Sequence, residues 1–360
     1  MIYFLNSERI IVKSKEDKFY NGGFLMKQRV LGKSNIKVST IGLGCFPLGG
    51  LFYHKGEPWS HGHVDEKEGI EAVKRALDLG INLFDTSDVY GCGKSEELLG
   101  KAIKDRREEV VIATKFASVW DMNSGDPKSP CQSTGEKNIT PDYIKKTCQE
   151  SLERLQSDYI DIYQLHWSSM KVEEAPGVRD VLEELVDEGL IRTFGWSTDS
   201  IPRAKAFADS KNCSSMQFTL NYTRENKPML ELLDEFNLGG LIRSPLGMGV
   251  LLGKYNEKSK ASKDHYLQRV DFSSEGYKRT FKAVEQLKEL FSSDGRSLAQ
   301  AALGYILSKH NRIVPIPGFK NVKQVEDNAR VMELGPLSNK IIQQIDNIFS
   351  ELQMDMSKAY

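Results

Sequence analysis

Short apolar, β-branched runs alternate with amphipathic segments along the chain from residue 38 onward. The runs have the length of buried strands, and the segments between them repeat apolar residues three and four positions apart, as a helix with one buried face does. The alternation continues for eight rounds. The predicted strands span residues 38–43, 82–85, 110–115, 159–166, 191–196, 215–221, 240–243 and 313–316.

The helices predicted between these strands include residues 66–79, 96–104, 141–155, 178–188 and 298–309. Eight β/α units in about 300 residues are typical of a (β/α)8 barrel, which usually takes about 250 residues before insertions. A doubly wound sheet is the alternative, but it normally opens with a glycine-rich turn, and Gly42-Leu43-Gly44 lacks the third glycine. We therefore predict an α/β protein with a (β/α)8 TIM barrel.

Segments outside the eight units add to this barrel. Residues 28–38, with a Gly32-Lys33-Ser34-Asn35 turn, predict an N-terminal β-hairpin, and isoleucines at helical spacing within residues 338–354 predict an extra C-terminal helix. Residues 117–140 and 257–274 are long and polar, so we expect loops or lids there. Residues 1–25 are predicted to be an N-terminal extension outside the fold, and residues 26–360 a single barrel domain.

The charge balance argues against a nucleic acid or an anionic membrane as partner. Lys and Arg number 49 against 50 Asp and Glu, a net charge of −1. No run approaches the roughly 20 apolar residues of a membrane helix, and residues 1–5 are too short an apolar run for a signal peptide. Five cysteines without a Cys-x-x-Cys spacing argue against a disulfide framework and fit a reducing compartment. We expect a cytoplasmic protein with a small-molecule partner.

Four polar residues stand at or just after the ends of successive predicted strands. Asp85 ends the second strand, Tyr90 follows five residues later, Lys115 ends the third strand and His166 the fourth. Side chains at these ends point into the common mouth of a barrel, so we expect Asp85 and Lys115 to pair there. A nearby ammonium favours phenolate and would lower the pKa of Tyr90, which could then exchange a proton near neutral pH. Taken singly, each of the four has a structural explanation.

The sequence around these residues resembles that of the aldo-keto reductases. Gly80-Ile-Asn-Leu-Phe-Asp85-Thr-Ser-Asp-Val-Tyr90-Gly91 resembles the family's signature, and Thr114-Lys115-Phe116 and Leu165-His166-Trp167 resemble the segments that carry its Lys and His. The resemblance runs from about residue 28 to 354. It implies a metal-independent carbonyl reductase or alcohol dehydrogenase using NAD(P)H. Tyr90 would then protonate the forming alkoxide, Lys115, held by Asp85, would lower its pKa, and His166 would orient and polarise the carbonyl.

Further segments resemble the family's cofactor site. The resemblance assigns Ser197 and Gln217 to the nicotinamide carboxamide, residues 243–254 to the nicotinamide and pyrophosphate, and residues 316–328 to the adenosine, where a helix start and a cation receive phosphate. The cofactor-binding residues it implies are Gly44, Cys45, Ser197, Thr198, Gln217, Arg243, Ser244, Pro245, Leu246, Gly247, Lys254, Gly318, Lys320, Gln324, Asp327 and Asn328.

Some of these positions depart from the family's usual residues. Thr198 stands where Asn is common, Asp327 where Glu is usual, Arg243 where an aromatic residue is frequent, and Cys45 where a hydroxyl residue is frequent. Lys320 favours NADP(H) over NAD(H), because a cation near the ribose would pair with a 2′-phosphate.

Other functions fit parts of the pattern. Lys115 could be the Schiff-base nucleophile of a lyase, and similar barrels serve as nucleotide-sensing, non-catalytic subunits. His61-Gly62-His63 suggests a metal-dependent hydrolase, but these histidines lie in a polar loop and we expect them to be exposed. Cys92, near Tyr90, is expected to be a buried inert thiol, with a reactive thiol at the rim as the alternative. The aromatic residues suited to lining an apolar or sugar-like carbonyl pocket are Phe46, Phe52, Tyr53, Trp59, Trp120 and Trp167.

Overall fold

The computed structural model describes residues 11–13, 17–21, 24–122, 131–292 and 295–352. Its first four strands form an antiparallel sheet in chain order: β1 (Ile11–Lys13), β2 (Asp17–Asn21), β3 (Phe24–Val30) and β4 (Lys37–Ser39). Strands β3 and β4 are the predicted hairpin, with Arg29 opposite Val38. Strand β3 crosses the expected boundary between residues 25 and 26, and the division into an extension and one barrel domain stays a prediction.

Strands and helices then alternate along the chain. The elements are β5 (Leu43–Gly44), β6 (Tyr53–His54), β7 (Glu57–Pro58), α1 (Glu66–Asp78), β8 (Leu83–Asp85), α2 (Lys94–Ile103), β9 (Val111–Phe116), β10 (Ser118–Asp121), β11 (Gln132–Lys137), α3 (Pro141–Leu155), β12 (Ile160–Leu165), α4 (Ala175–Asp187), β13 (Ile191–Ser197), α5 (Ile201–Ala208), β14 (Cys213–Thr219), α6 (Lys227–Glu235), β15 (Gly239–Arg243), α7 (Glu275–Ser292), α8 (Leu298–Lys309), β16 (Ile313–Pro315), α9 (Val322–Ala329), α10 (Val331–Leu334) and α11 (Asn339–Glu351).

Eight parallel strands form the barrel, which confirms the predicted fold class. Their order is β5, β8, β9, β12, β13, β14, β15 and β16. The first and last strands meet where Gly42 N donates to Pro315 O and Gly44 N to Pro317 O, both at 2.9 Å. A Cβ at Gly44 would lie 3.0 Å from the carbonyl oxygen of Ile316, so glycine permits this close approach.

The N-terminal hairpin covers the amino-terminal end of the barrel. Leu31 and Ile36 beside its turn pack with inward-facing strand residues such as Leu83 and Val111, which begin β8 and β9. A second, larger core lies between the strands and the helices. The carboxyl ends of the strands are therefore the end of the barrel left for polar side chains.

Local signals explain where several helices begin. Asp65 caps α1 by accepting a hydrogen bond from Glu68 N, and α3 begins at Pro141, a residue favoured in a first helical turn. Ser297 and Gln300 form a capping box at α8, and Ser338 caps the predicted C-terminal helix α11. The bounds predicted for α3 and α8 are those observed. None of the helices in the described ranges has the length and apolar character needed to span a membrane.

Three expectations about individual elements are wrong. The predicted strand at residues 38–43 is divided, because Val38 belongs to the hairpin and only Leu43–Gly44 joins the barrel. Strand β14 lies two residues earlier than predicted. Residues 117–140 are not simply a loop: β10 and β11 pair antiparallel, and β11 also pairs with β6. The sequence of β11 is polar and has no alternation of apolar and polar residues, so hydrophobic patterning does not predict this hairpin. In residues 257–274, only Tyr266–Arg269 forms a short 3-10 helix.

Candidate active site

A buried lysine and carboxylate stand at the carboxyl ends of two adjacent strands. Asp85 is the last residue of β8, and Lys115 is the penultimate residue of β9. The Lys115 Nζ atom donates to Asp85 Oδ2 at 2.7 Å, to Thr86 O at 2.6 Å and to the Tyr90 hydroxyl at 3.2 Å. The predicted pairing of Asp85 and Lys115 is confirmed. Burial disfavours the ammonium, but Asp85 and Tyr90 outweigh this and raise the pKa of Lys115.

Tyr90 has a raised pKa, which contradicts the expectation of a lowered one. Its side chain is 9% exposed. Burial, which disfavours the phenolate, has the largest effect on the pKa of Tyr90, and the nearby Lys115 ammonium only partly offsets it. Tyr90 therefore holds its proton at neutral pH, while the ammonium 3.2 Å away would stabilise the phenolate formed if that proton leaves.

His166 follows β12 and brings a neutral imidazole to the same place. Its ring centroid lies 6.0 Å from that of Tyr90. Burial, together with the positive charges of Lys115, Lys137 and Arg243, lowers the pKa of His166 well below its ordinary value. The Nδ1 atom lies 3.3 Å from the hydroxyl of Ser87, whereas Nε2 makes no hydrogen bond to the residues that the structure describes.

Gln164 is a site residue that the sequence reasoning missed. Its Nε2 atom donates to Asp85 Oδ1 at 3.1 Å, and its Oε1 atom accepts from Gln217 Nε2 at 3.2 Å. Gln217 Nε2 also donates to Asp85 Oδ1, at 2.7 Å. The sequence did contain a signal for Gln164. Side chains alternate between the two faces of a strand, so Gln164 lies on the same face as His166, two residues later.

The residues expected at the nicotinamide lie at the ends of β13 and β14. Ser197 Oγ is 3.5 Å from Gln217 Oε1, and the Thr198 hydroxyl donates to Ser168 O at 3.2 Å. Cys45 is fully buried, and burial followed by the charge of Asp85 raises the pKa of its thiol. Gln217 thus contacts Asp85 directly, Ser197 and Thr198 contact Gln217, and Cys45 lies close enough to Asp85 to be affected by its charge.

Asp199 is a second residue that the sequence reasoning missed. Its carboxylate accepts a hydrogen bond from Arg243, which ends β15, and another from Thr219 N at 2.8 Å. Arg224 lies 3.5 Å from the same carboxylate. Arg243, which departs from the aromatic residue frequent at this position in the family, is therefore held in place by an ion pair.

The segment after Arg243 is a tight turn. Ser244 has a φ of 52°, in the left-handed region, and Gly247 N donates to Ser244 O at 3.0 Å. Pro245 and Leu246 lie inside this turn, and Lys254 follows on an exposed stretch after the 3-10 helix Gly247–Leu252. In residues 243–254, the segment expected at the pyrophosphate, the ammonium of Lys254 is therefore exposed beside irregular backbone.

The expected adenosine site lies where β16 leads into α9. Gly318 forms a parallel bridge with Gly44. The ammonium of Lys320 donates to His61 O, and the Lys320 amide donates to Gln324 Oε1 at 2.8 Å. Burial and the charge of Lys254 lower the pKa of Lys320, so the two cations lie close enough to interact.

The Asp327 carboxylate is hydrogen-bonded to residues at the start of α8, and not to other residues of the expected adenosine site. Its carboxylate accepts from Ser297 Oγ at 3.0 Å and from Gln300 Nε2 at 2.7 Å, both in the capping box of α8. Asn328 beside it is buried. Of the other predicted adenosine residues, Gly318 is exposed, and Lys320 and Gln324 are half-buried.

The donor set of this cleft fits a nicotinamide dinucleotide. Ser197 and Gln217 offer a hydroxyl and an amide to a carboxamide, and the amide is fixed by its bond to Asp85. Lys254 and Lys320 supply the paired positive charge that phosphates require. Gly44 and Gly318 keep the barrel seam free of side chains.

Aromatic side chains pack beside the Tyr90 ring. The Phe46 ring lies 5.0 Å from that of Tyr90, and it also contacts Trp59 and Phe52. Phe52 is fully buried, so it supports the others instead of lining a pocket. Trp120 packs against the same cluster, whereas Trp167 packs against the main core.

The expectations for two groups near this mouth are wrong. Cys92 forms a disulfide with Cys131, across a Cα–Cα distance of 6.2 Å, and is therefore neither an inert nor a reactive thiol. Cys45, Cys148 and Cys213 are free and buried. His61 is half-buried, and its Nδ1 atom lies 3.0 Å from His265 Nε2, whereas His63 is exposed as expected. In the described part of the chain, no three His, Cys, Asp or Glu side chains are grouped as metal ligands.

Comparison with known proteins decides the family. The sequence profile of the aldo/keto reductase family matches residues 41–349. This chain belongs to the aldo/keto reductase family. An uncharacterized oxidoreductase of Bacillus subtilis, YqkF, is 30% identical over 343 residues, 93% of this chain and 99% of the relative. The NADH-specific methylglyoxal reductase of Escherichia coli is 30% identical over 315 residues, 86% of this chain and 94% of the relative.

A solved structure of the same family has the same fold. The glycerol dehydrogenase from Gluconobacter oxydans superposes with a TM-score of 0.77 at 25% identity, covering 92% of this chain and 97% of that one. Membership of the family makes this aldo/keto reductase an oxidoreductase of carbonyl compounds that uses a nicotinamide cofactor.

Proposed function

We propose that this aldo/keto reductase reduces aldehyde or ketone carbonyls to alcohols with NADPH, and that Tyr90 donates the proton. The observation that carries the proposal is the position of Lys115 Nζ, 2.7 Å from Asp85 and 3.2 Å from the Tyr90 hydroxyl. A reduced nicotinamide supplies the hydride to the carbonyl carbon when bound. The residues of the chain position the carbonyl and provide the proton.

Tyr90 and Lys115 act together in this proposal. Tyr90 enters the reaction as a neutral phenol, since burial raises its pKa. As negative charge grows on the substrate oxygen, the phenol transfers its proton to that oxygen, and the ammonium 3.2 Å away stabilises the resulting phenolate. Asp85 holds the ammonium by accepting its hydrogen bond, and Gln164 and Gln217 hold Asp85.

The cofactor-binding roles rest on the cleft described above. Ser197 and Gln217 would hold the carboxamide, with Thr198 and Cys45 beside them, and residues 243–247 would follow the nicotinamide and pyrophosphate. We infer a preference for NADP(H) because Lys320 and Lys254 bring two cations to the expected ribose-phosphate region. The E. coli relative is named as NADH-specific, so the cofactor preference of this chain needs its own measurement.

The lyase alternative is disfavoured by the state of Lys115. A Schiff-base lysine must present a neutral amine, which requires a lowered pKa. Lys115 instead has a raised pKa and three oxygen partners around its Nζ atom. A purely nucleotide-sensing subunit would have no need of the proton donor that this cluster supplies.

We also propose a cytoplasmic location and a small-molecule partner. The support is a net charge of −1, which provides no general attraction for nucleic acid, together with three buried free thiols. The Cys92–Cys131 disulfide is the observation that opposes a reducing compartment.

The direct test of the proton donor is Tyr90→Phe. We expect the turnover of an aromatic aldehyde to fall by about 10² to 10⁴, the usual contribution of a positioned acid. The binding of NADPH, followed by fluorescence quenching, should be nearly unchanged. Tyr222→Phe is the matched control, because that buried hydroxyl has no hydrogen-bond partner among the described residues. Unimpaired turnover by Tyr90→Phe would reject the assignment.

A further inference from the structure

Ser87 lies between the imidazole of His166 and a buried carboxyl group. Its Oγ atom is 3.3 Å from His166 Nδ1 and 2.9 Å from Asp88 Oδ1. Both Ser87 and Asp88 are fully buried. The Oδ2 atom of Asp88 has no hydrogen-bond partner among the residues that the structure describes. None of the roles assigned above to the site residues accounts for this pair.

A serine hydroxyl has one proton, so it can donate to only one of these two neighbours. When Asp88 is ionised it can only accept hydrogen bonds, so Ser87 donates its hydroxyl proton to Asp88. The Ser87 oxygen must then accept a hydrogen bond from a protonated Nδ1 of His166. When Asp88 is protonated it can donate to Ser87, and Ser87 is then free to donate to an unprotonated Nδ1. The direction of the two hydrogen bonds therefore depends on the protonation of Asp88.

The direction of these bonds fixes the tautomer of His166. The imidazole is neutral at pH 7, so one of its two nitrogens carries the only ring proton. An Nδ1 atom that accepts from Ser87 places that proton on Nε2, where it can be donated to a substrate carbonyl. An Nδ1 atom that donates to Ser87 leaves a lone pair on Nε2, which repels a carbonyl oxygen.

We propose that Ser87 and Asp88 are positioning residues that select the tautomer of His166, so that carbonyl binding by Nε2–H requires Asp88 in its protonated form. This inference rests on the proposed carbonyl reduction for its consequence in catalysis. The tautomer itself is a property of the protein without substrate and is measured separately.

The surroundings of Asp88 raise its pKa, so that its carboxyl group changes protonation near neutral pH. Burial, followed by the negative charge of Glu96 on α2, raises the pKa of Asp88 to about 7, against the hydrogen bond from Ser87 and the charge of Arg154 on α3. The other titratable groups that interact electrostatically with Asp88 are Lys137 on β11, Tyr143 on α3 and Tyr163 on β12. Around His166 the charged groups are Lys115, Lys137 and Arg243. The protonated fraction of Asp88 falls as pH rises through about 7, and the Nε2–H tautomer falls with it.

The first test observes the tautomer by long-range ¹H–¹⁵N NMR of the full chain labelled on histidine. His166→Gln identifies the His166 signals. In the wild type we expect the proton to move from Nε2 to Nδ1 as the pH is raised from about 6 to about 8. Asp88→Asn cannot ionise, so its His166 tautomer should be the same at every pH. His310, which contacts Asp234 on the surface, is the internal control and should behave alike in both proteins.

A second pair of variants tests the role of the hydroxyl. Ser87→Ala should remove the pH dependence of the tautomer, and Ser87→Thr, which keeps a hydroxyl, should restore it. A wild-type His166 that keeps one tautomer over this range would overturn the proposal. So would an Asp88→Asn protein in which the proton still moves between the nitrogens with pH.

The consequence for catalysis is read from the pH profile of kcat/KM with 4-nitrobenzaldehyde and NADPH. For a group that titrates near pH 7, wild-type kcat/KM should fall about tenfold between pH 6 and pH 8, and Asp88→Asn should lack this step. The same step in both proteins contradicts the link to catalysis. If the wild type reduces no carbonyl at all, the proposed function fails, while the NMR measurement still decides the tautomer switch.

Discussion

Lys320 is the residue on which cofactor choice depends in our proposal. Its ammonium donates to the carbonyl oxygen of His61, and burial and Lys254 lower its pKa. A bound 2′-phosphate would offer a stronger, charged acceptor than that carbonyl. The neighbouring Lys323 is exposed and lies outside these contacts.

We expect Lys320→Met to raise the KM for NADPH by about tenfold or more while changing the KM for NADH little, since one charge-assisted hydrogen bond is worth about 1.5–3 kcal/mol. Steady-state kinetics with each cofactor measures this. Lys323→Met is the matched control and should leave both values unchanged. Equal increases for NADPH and NADH in Lys320→Met would refute the assignment.

Tyr90 and Cys92 show at the residue scale what sequence reasoning misses. The neighbouring lysine of Tyr90 was correctly predicted, but the net pKa direction was not, because burial outweighs the ammonium. For Cys92, the sequence offered no sign of a partner 39 residues away. Both properties depend on groups that are distant in sequence and close in space.

At the scale of elements, a buried ion pair joins two helices to a barrel strand. Glu96 on α2 accepts from Arg154 Nε on α3 at 2.7 Å and from the Thr114 hydroxyl on β9 at 2.5 Å. Glu96 is fully buried. A buried carboxylate that loses its partner keeps the cost of desolvation without the compensating attraction.

We therefore expect Arg154→Leu to lower the free energy of unfolding by about 3–5 kcal/mol, the usual cost of breaking a buried pair from one side. Urea unfolding measures the change. Adding Glu96→Gln to Arg154→Leu should recover part of the loss, because the uncompensated charge is then absent. Lys145 is on α3 like Arg154, but its ion pair is with Glu184 on α4 and is exposed, so Lys145→Leu should lower the free energy of unfolding far less than Arg154→Leu. Similar losses in the two single variants would contradict this account.

The elements themselves were predicted unevenly. Helices α3 and α8 have a clear apolar face or strong start signals, and their predicted bounds are the observed ones. The hairpin β10–β11 was missed because its pairing with β6 depends on a partner far along the chain, not on a local apolar pattern.

At the scale of the whole molecule, the Cys92–Cys131 disulfide links two segments on the same side of the barrel mouth. Cys92 follows the Tyr90 turn, and Cys131 precedes β11. We expect protein purified without reductant and then denatured to titrate as three thiols, and as five after reduction. Reduction should also lower stability by about 2–4 kcal/mol, as the loss of a cross-link usually does.

Peptide mapping under non-reducing conditions gives an independent check of this pairing. Cys148→Ser serves as the control, because a free buried thiol should not alter the cross-linked peptide. Five thiols in unreduced protein from cells whose thiols were blocked at lysis would count against the disulfide and would support the reducing compartment that the sequence predicts.

The sequence by itself determined the eight-fold alternation, the barrel and the identity of Asp85, Tyr90, Lys115 and His166. Hydrophobic periodicity is a local property, and a parallel barrel brings the carboxyl ends of its strands to one mouth whatever the details of packing. Strand ends therefore predicted that Asp85, Lys115 and His166 share one mouth, and the resemblance of the surrounding sequence to the aldo-keto reductases supplied the roles of these residues and of Tyr90.

Only the tertiary structure decided the direction of the Tyr90 pKa, the support of Asp85 by Gln164, and the position of Ser87 between His166 and Asp88. A pKa is the balance of burial against charges a few ångströms away, and a hydrogen bond exists or fails over less than 1 Å. Spacing along a chain does not specify distances that fine, because they are set by how the strands and loops pack together.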